Sequence, residues 1–157
     1  MILYHGTNID FESIDLSFSK NFKDFGKGFY LTDIQRQAYD LALQRVRIGG
    51  GNAIVQEYEF DETNLTNGSL SVLQFKEPTA EWADFIFKNR TRSLNFTHNY
   101  DIVYGPIADD GVAYLLNLYE EGLRTLDELA KELKYKKLNS QYCFENEKAT
   151  RLLRRIK

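Results

Sequence analysis

The chain is short of several things, and each shortage closes off a class of function. It has one cysteine, Cys143, in 157 residues. No internal disulfide can form, a reducing compartment is expected, and Cys143 itself reads as a small apolar strand residue. His5, His98 and Cys143 lie far apart without local ligand spacing, so no metal site is expected. No segment approaches the ~20 apolar residues that cross a bilayer. Met1-Ile2-Leu3-Tyr4 runs straight into polar residues rather than forming a charged-then-apolar leader, so the expected location is cytoplasmic, away from any membrane. Gly26-Lys27-Gly28 is too short for a Walker loop. The dinucleotide fingerprint is missing, and no serine sits in a nucleophile elbow. There is no linker, repeat or low-complexity segment, so residues 1–157 read as a single α+β domain. The formal net charge of -3 argues against a protein drawn to nucleic acid by its overall field.

Aromatic residues are plentiful, with 10 Tyr and 11 Phe; some are core, but tyrosines in excess often line pockets or partner surfaces. They frame the stretch around which the chain is organised, Asp24-Phe25-Gly26-Lys27-Gly28-Phe29-Tyr30-Leu31-Thr32-Asp33. Two glycines two residues apart predict an irregular turn, because glycine takes positive φ freely and leaves room for another backbone or a ligand. Phe29-Tyr30-Leu31 then reads as a buried strand, and Thr32 or Asp33 as the cap of a helix that starts at once. A glycine turn, an aromatic strand and a capped helix can present a flat aromatic face beside free amides, which suits a planar heterocycle. The plainer reading is a tight loop feeding a core strand.

Taken in order, Ile2-Leu3-Tyr4-His5 predicts a strand stopped by Gly6-Thr7-Asn8, and residues 9–23 a loop with a helical turn. Ile34, Ala38, Leu41, Ala42 and Val46 fall at helical spacing before Gly49-Gly50-Gly51 ends that helix. Residues 53–60 predict a strand, and Val72-Leu73-Gln74-Phe75 a short one. Pro78 opens a helix with Trp82, Phe85 and Ile86 on its core face. Asp101-Ile102-Val103-Tyr104-Gly105-Pro106-Ile107 reads as a central strand ended by Pro106. Asp109 or Asp110 caps a helix using Val112, Leu115, Leu116 and Tyr119, stopped by Gly122. Thr125-Leu126-Asp127-Glu128 has capping-box spacing before a helix built on Leu126, Leu129, Ala130 and Leu133. A last strand is expected over residues 139–144. Ala149, Leu152, Leu153 and Ile156 then predict a closing helix that also carries Arg151, Arg154, Arg155 and Lys157.

Three motifs recur in a meaningful order: Tyr4-His5-Gly6-Thr7, then Gly26-Lys27-Gly28-Phe29-Tyr30-Leu31-Thr32, then Asn139-Ser140-Gln141-Tyr142-Cys143-Phe144. With them the sequence resembles the ADP-ribosyltransferase superfamily, whose pocket is made of a strand-borne histidine followed by glycine, a tyrosine after a glycine turn, and a late glutamate or its replacement. It is closer to a compact bacterial branch of previously unassigned function, often encoded beside a small antitoxin-like protein, and the similarity includes Asp101-Ile102-Val103-Tyr104-Gly105-Pro106-Ile107-Ala108-Asp109-Asp110.

The resemblance implies a split β-sheet core with surrounding helices, NAD as co-substrate and no metal. It implies that His5 bonds a ribose hydroxyl and that the Gly6 backbone holds the nicotinamide amide. Thr7 adds a contact, Gly28 lies against NAD, and Tyr30 stacks on the nicotinamide. A second stacking residue would come from the following helix, where Tyr39 matches in type and Leu41 in register. Gln141 stands where the superfamily's usual glutamate offsets charge at the anomeric carbon; glutamine keeps the hydrogen bond and loses the charge.

The implied activity is mono-ADP-ribosylation of a protein or nucleic-acid acceptor, plausible for a toxin of a toxin–antitoxin or phage-defence system. An NAD- or ADP-ribose-binding module and an NAD-independent RNA-cleaving toxin are the alternatives. Singly, each residue has an ordinary reading. His5 satisfies a turn, Tyr30 is core, Gln141 is an edge residue, Asp109-Asp110 is a helix cap, and the basic tail is a solvated face or a contact for nucleic acid or an acidic partner.

Overall fold

The computed structural model describes residues 1–108, 110–133 and 140–157, with backbone only at Asp110, Val112, Ala113 and Leu133. Among the described residues the chain is α+β, with two sheets and five helices. In chain order these are β1 (Ile2–Thr7), β2 (Phe29–Leu31), α1 (Gln35–Gly49), β3 (Ile54–Glu59), β4 (Val72–Gln74), α2 (Ala80–Arg90), β5 (Ile102–Pro106), α3 (Asp110–Glu120), α4 (Leu126–Leu133), β6 (Ser140–Phe144), α5 (Glu147–Thr150) and β7 (Arg154–Arg155). One sheet has the order β1-β3-β7 and the other β2-β6-β5-β4. Only β4 and β5 run parallel; the remaining pairs are antiparallel.

Alternation along the strands sorts the apolar residues into two cores. Leu3, Tyr58 and Phe60 from the first sheet meet Phe29, Leu31, Ile102, Tyr142 and Phe144 from the second. On the far face of the second sheet, Val103 and Cys143 pack against Trp82, Phe85 and Ile86 of α2, Leu116 of α3 and Leu129 of α4. The first sheet is backed by α1, whose buried side is Ala38 and Ala42. That helix lies so close that a methyl group on Gly6 would sit 1.9 Å from the Ala38 carbonyl oxygen.

Most expected elements are present, with corrections. β1 runs on through Gly6 and Thr7, paired with Val55 and Ile54, instead of stopping there, and Pro78 lies just outside α2, whose N-cap is Thr79. The N-cap of α1 is Ile34, without a side-chain cap; the Thr32 hydroxyl accepts from Ile34 N–H, two residues ahead of the cap position, and Asp33 does not cap the helix. The closing helix stops at Thr150, and Arg154–Arg155 form β7 instead. Ion pairs from Arg154 to Glu59 and from Arg155 to Asp10, with Ile156 N–H donated to the Glu57 carbonyl, hold the tail extended against helical spacing. Of the two glycines in the organising turn, Gly26 has φ +97°, whereas Gly28 does not need positive φ. At Gly28 the demand is space, since a methyl group there would meet Cys143 Sγ at 2.4 Å. The caps assigned to Asp109 and Asp110 and the strand start at Asn139 lie outside the described residues or side chains.

The Thr125 capping box forms as expected: Glu128 N–H donates to Thr125 Oγ1 at 3.1 Å, and Thr125 N–H to Glu128 Oε1 at 3.3 Å. Thr125→Ala is expected to lower unfolding stability by about 1 kcal/mol and Thr125→Ser to restore most of it, measured by chemical denaturation.

Candidate functional site

The site is built where the two sheets meet. Tyr4 exchanges both backbone hydrogen bonds with Thr32, N–H to O at 2.7 Å and O to N–H at 2.9 Å, and this single antiparallel bridge joins β1 to β2. Alternation then aims the N–H and C=O of Gly6, two residues on, at the same edge. A continued ladder would pair Gly6 with Tyr30. Instead His5 Nδ1 donates to the Tyr30 carbonyl at 2.8 Å, and the ladder ends. Both peptide groups of Gly6 are left without a partner among the described residues. The result is a seam with a free donor and a free acceptor on one residue.

His5 is nearly buried, with its ring stacked on Phe29 at 4.3 Å. Burial, with the nearby charges of Arg45 and Lys23, pulls its pKa down from 6.5 to about 4, against the hydrogen bond to Tyr30. The ring is therefore neutral at neutral pH. Because a carbonyl can only accept, the proton sits on Nδ1 and Nε2 is left as an acceptor. Thr7 has turned its hydroxyl to local use: Oγ1 donates to the Ile9 carbonyl and accepts from Ile9 N–H.

Tyr30 is half-buried. Its hydroxyl donates to the Gly26 carbonyl at 2.6 Å and accepts from Phe25 N–H at 3.0 Å, so the phenol clamps the glycine turn. The Lys23 ammonium lies 4.9 Å from the ring centroid, a cation–π arrangement. Gly28 donates its N–H to Ser19 Oγ and receives that hydroxyl on its carbonyl. Gln141 lies two residues before Cys143, the partner of Tyr30 across β2 and β6, and so shares its face. Its Nε2 donates to Asp24 Oδ2 at 3.2 Å, while Asp24 Oδ1 is ion-paired with Arg90. On α1, Tyr39 and Leu41 are both partly exposed, and the Arg36 guanidinium covers the Tyr39 ring.

Residues 1–154 match a protein family described as of unknown function (DUF3990). The chain belongs to that family. No curated protein and no solved structure matches it.

In this family member the structure brings His5, Gly6 and Tyr30 together at the seam, with Gln141 on the Tyr30 side. It engages Thr7 and Gly28 in local bonds. No group of three or more His, Cys, Asp or Glu among the described residues is placed to hold a metal. No described helix is long and apolar enough to cross a membrane.

Two cations, Lys23 and Arg45, belong to none of the three motifs. Burial lowers the pKa of Lys23, and the repulsion of Arg45 and Lys20 adds to it; burial likewise lowers that of Arg45. Both are half-buried, and neither has a carboxylate within ion-pair distance among the described residues. Half-buried, unpaired cations beside free backbone groups are suited to an anion. The readable signals were small: Lys23 ends the loop just before the glycine turn, and Arg45 follows buried Ala42 by three residues, on the same helix face.

The depressed His5 pKa gives a signed stability effect. Between 6.5 and about 4 the unfolded chain binds a proton that the folded one refuses, so stability is present above 6.5 and is lost as pH falls through that window. In His5→Asn the side-chain amide can take the place of Nδ1–H and has no proton to gain. Thermal unfolding followed from about pH 7 to about pH 5 should show a smaller loss for His5→Asn than for the native protein.

Proposed function

We propose that this protein is a mono-ADP-ribosyltransferase that binds NAD along the β1–β2 seam, releases nicotinamide and transfers ADP-ribose to a macromolecular acceptor. The observation that carries the reading is Gly6. Its N–H and C=O, side by side on the edge of β1 that faces β2 and without a partner among the described residues, complement the oxygen and the NH2 of a carboxamide. The other features of the seam support the same ligand. His5 Nε2 offers an acceptor for a ribose hydroxyl, Tyr30 contributes an aromatic face, and Lys23 with Arg45 supplies charge for a diphosphate. The split-sheet core of the ADP-ribosyltransferases is the finer fold this reading implies.

In the reaction, the bond between the ribose anomeric carbon and the pyridinium nitrogen breaks, its electron pair neutralises the ring, and nicotinamide leaves. A nucleophile of the acceptor then attacks the anomeric carbon and gives up its proton. Gln141, tethered by Nε2 to Asp24, keeps its oxygen for a ribose hydroxyl. A toxin paired with a small antitoxin protein, or a phage-defence effector, is the biological setting in keeping with this chemistry, and the cytoplasm is its proposed location.

One observation favours a second reading, a module that binds NAD or ADP-ribose without turnover. Gln141 is uncharged, and the carboxylate beside it is already matched by Arg90, so little negative charge faces the anomeric carbon. RNA cleavage finds less support, because His5 is held neutral and His98 spends Nε2 on the Phe25 carbonyl and Nδ1 on Tyr100 N–H.

The test is incubation with labelled NAD and bacterial lysate, followed by separation of protein from nucleic acid. Label is expected in one macromolecular fraction and absent from the Lys23→Ala/Arg45→Ala variant. Gln141→Glu, which restores the charge, is expected to speed nicotinamide release about a hundredfold. NAD binding without release from either protein would favour the binding module; absence of NAD binding would contradict both readings.

A further inference from the structure

On the other side of the glycine turn is a cavity of about 540 Å³ whose wall includes Asn21, Gly26, Asn89, Asn95, His98 and Glu145. That volume is in the range of small-molecule sites. None of its residues is used at the seam, although the Gly26 carbonyl anchors the Tyr30 hydroxyl from behind. Three of the polar groups converge. A methyl group on Gly26 would lie 3.3 Å from Asn89 Oδ1, 3.3 Å from His98 Nε2 and 3.6 Å from Glu145 Oε2.

Their bonding capacity is unequal. His98 is fully engaged, donating from Nε2 to the Phe25 carbonyl at 2.7 Å and accepting at Nδ1 from Tyr100 N–H. Asn89 gives its NH2 to the Phe85 carbonyl and retains Oδ1 as an acceptor. Glu145 is the exception. Its side chain is only 9% exposed, and Oε1 is buried with no hydrogen-bond partner among the described residues. His98 Nε2 is 3.7 Å away, too far for a hydrogen bond and already committed. Such an orphan is uncommon in folded proteins and calls for an occupant.

Burial raises the Glu145 pKa from 4.5 to about 8, against the opposing hydrogen bond from the Cys143 thiol. The titratable groups around it are Cys143 on β6, Tyr30 on β2, His98 from the segment before β5, and Lys27 on the cavity wall. At neutral pH Glu145 is therefore a carboxylic acid with one O–H donor and one C=O acceptor. An amidine edge, a ring nitrogen beside an exocyclic NH2, complements that pair; the N–H and C=O edge of a lactam does so too, and it is Asn89 that tells the two apart. Asn89 Oδ1 can accept the second N–H of the amino group, and Phe22, Phe96 and Tyr100 line the space around a flat ring.

We propose that this cavity is a binding site for an aminopurine or aminopyrimidine base, read by Glu145 and Asn89. The site is separate from the seam and stands or falls independently of the NAD reading.

Calorimetric titration with free adenine and cytosine, against hypoxanthine and uracil, which carry a C=O where the amino bases carry NH2, tests it. The amino bases are expected to bind about tenfold or more tightly than their counterparts, because Asn89 Oδ1 accepts from NH2 and repels a carbonyl. Affinity for the amino bases should fall from about pH 6 to about pH 9, as the acid, with its pKa of about 8, loses its donor proton. Glu145→Gln keeps an N–H donor and a C=O acceptor at every pH, so it should bind the amino bases with no such fall; Asn89→Leu should lose the preference for them. Equal affinity for all four bases, an affinity for the amino bases unchanged across that pH range in the native protein, or no binding would overturn the proposal.

Discussion

The fold and the candidate site both depend on what happens to β1 and β2 after their one bridge. Tyr4 and Thr32 bind the two sheets together through a pair of backbone hydrogen bonds. One residue later the His5 side chain takes the Tyr30 carbonyl that a continued ladder would have used. A buried carbonyl is satisfied, the two sheets separate, and Gly6 is left with a donor and an acceptor that have no partner among the described residues. His5 can play this part because Phe29 stacks on it and burial keeps it neutral, since a charged imidazole there would carry a desolvation penalty.

The neighbouring parts serve that seam. α1 can approach β1 because Gly6 has no side chain to hold it off, and the approach of the helix also brings Arg45 near His5. The Tyr30 hydroxyl ties down the glycine turn, and Lys23, at the end of the preceding loop, lies over the Tyr30 ring. Gly28 lets the turn pass Cys143 and Phe144 of β6, the strand that also carries Gln141. The glycines of the motif are thus explained by packing, quite apart from any ligand. That is why motif glycines alone say little about function.

Local signals were legible in the sequence, and pairing signals were not. The Thr125–Glu128 box, the Trp82, Phe85 and Ile86 face, and the strand ended by Pro106 all act within one turn or one strand, and all are present. Residues 152–157 read as helix because their apolar spacing is helical, but Arg154 and Arg155 find Glu59 and Asp10 across the sheet, partners no local rule can reveal. At the site, the three motif positions could be named from their order. The tie from Gln141 to Asp24, spanning 117 residues, could not, nor could the pairing of Asp24 with Arg90. Glu145 was invisible for the same reason: its unusual protonation arises from burial, which comes only with the fold.

The most direct test of the seam is an NMR titration of isotope-labelled protein with NAD, following the Gly6 backbone amide and the His5 ring nitrogens. The account predicts that the Gly6 N–H resonance and His5 Nε2 shift together and saturate with the same affinity. Saturable NAD binding that leaves Gly6 and His5 unmoved would contradict it.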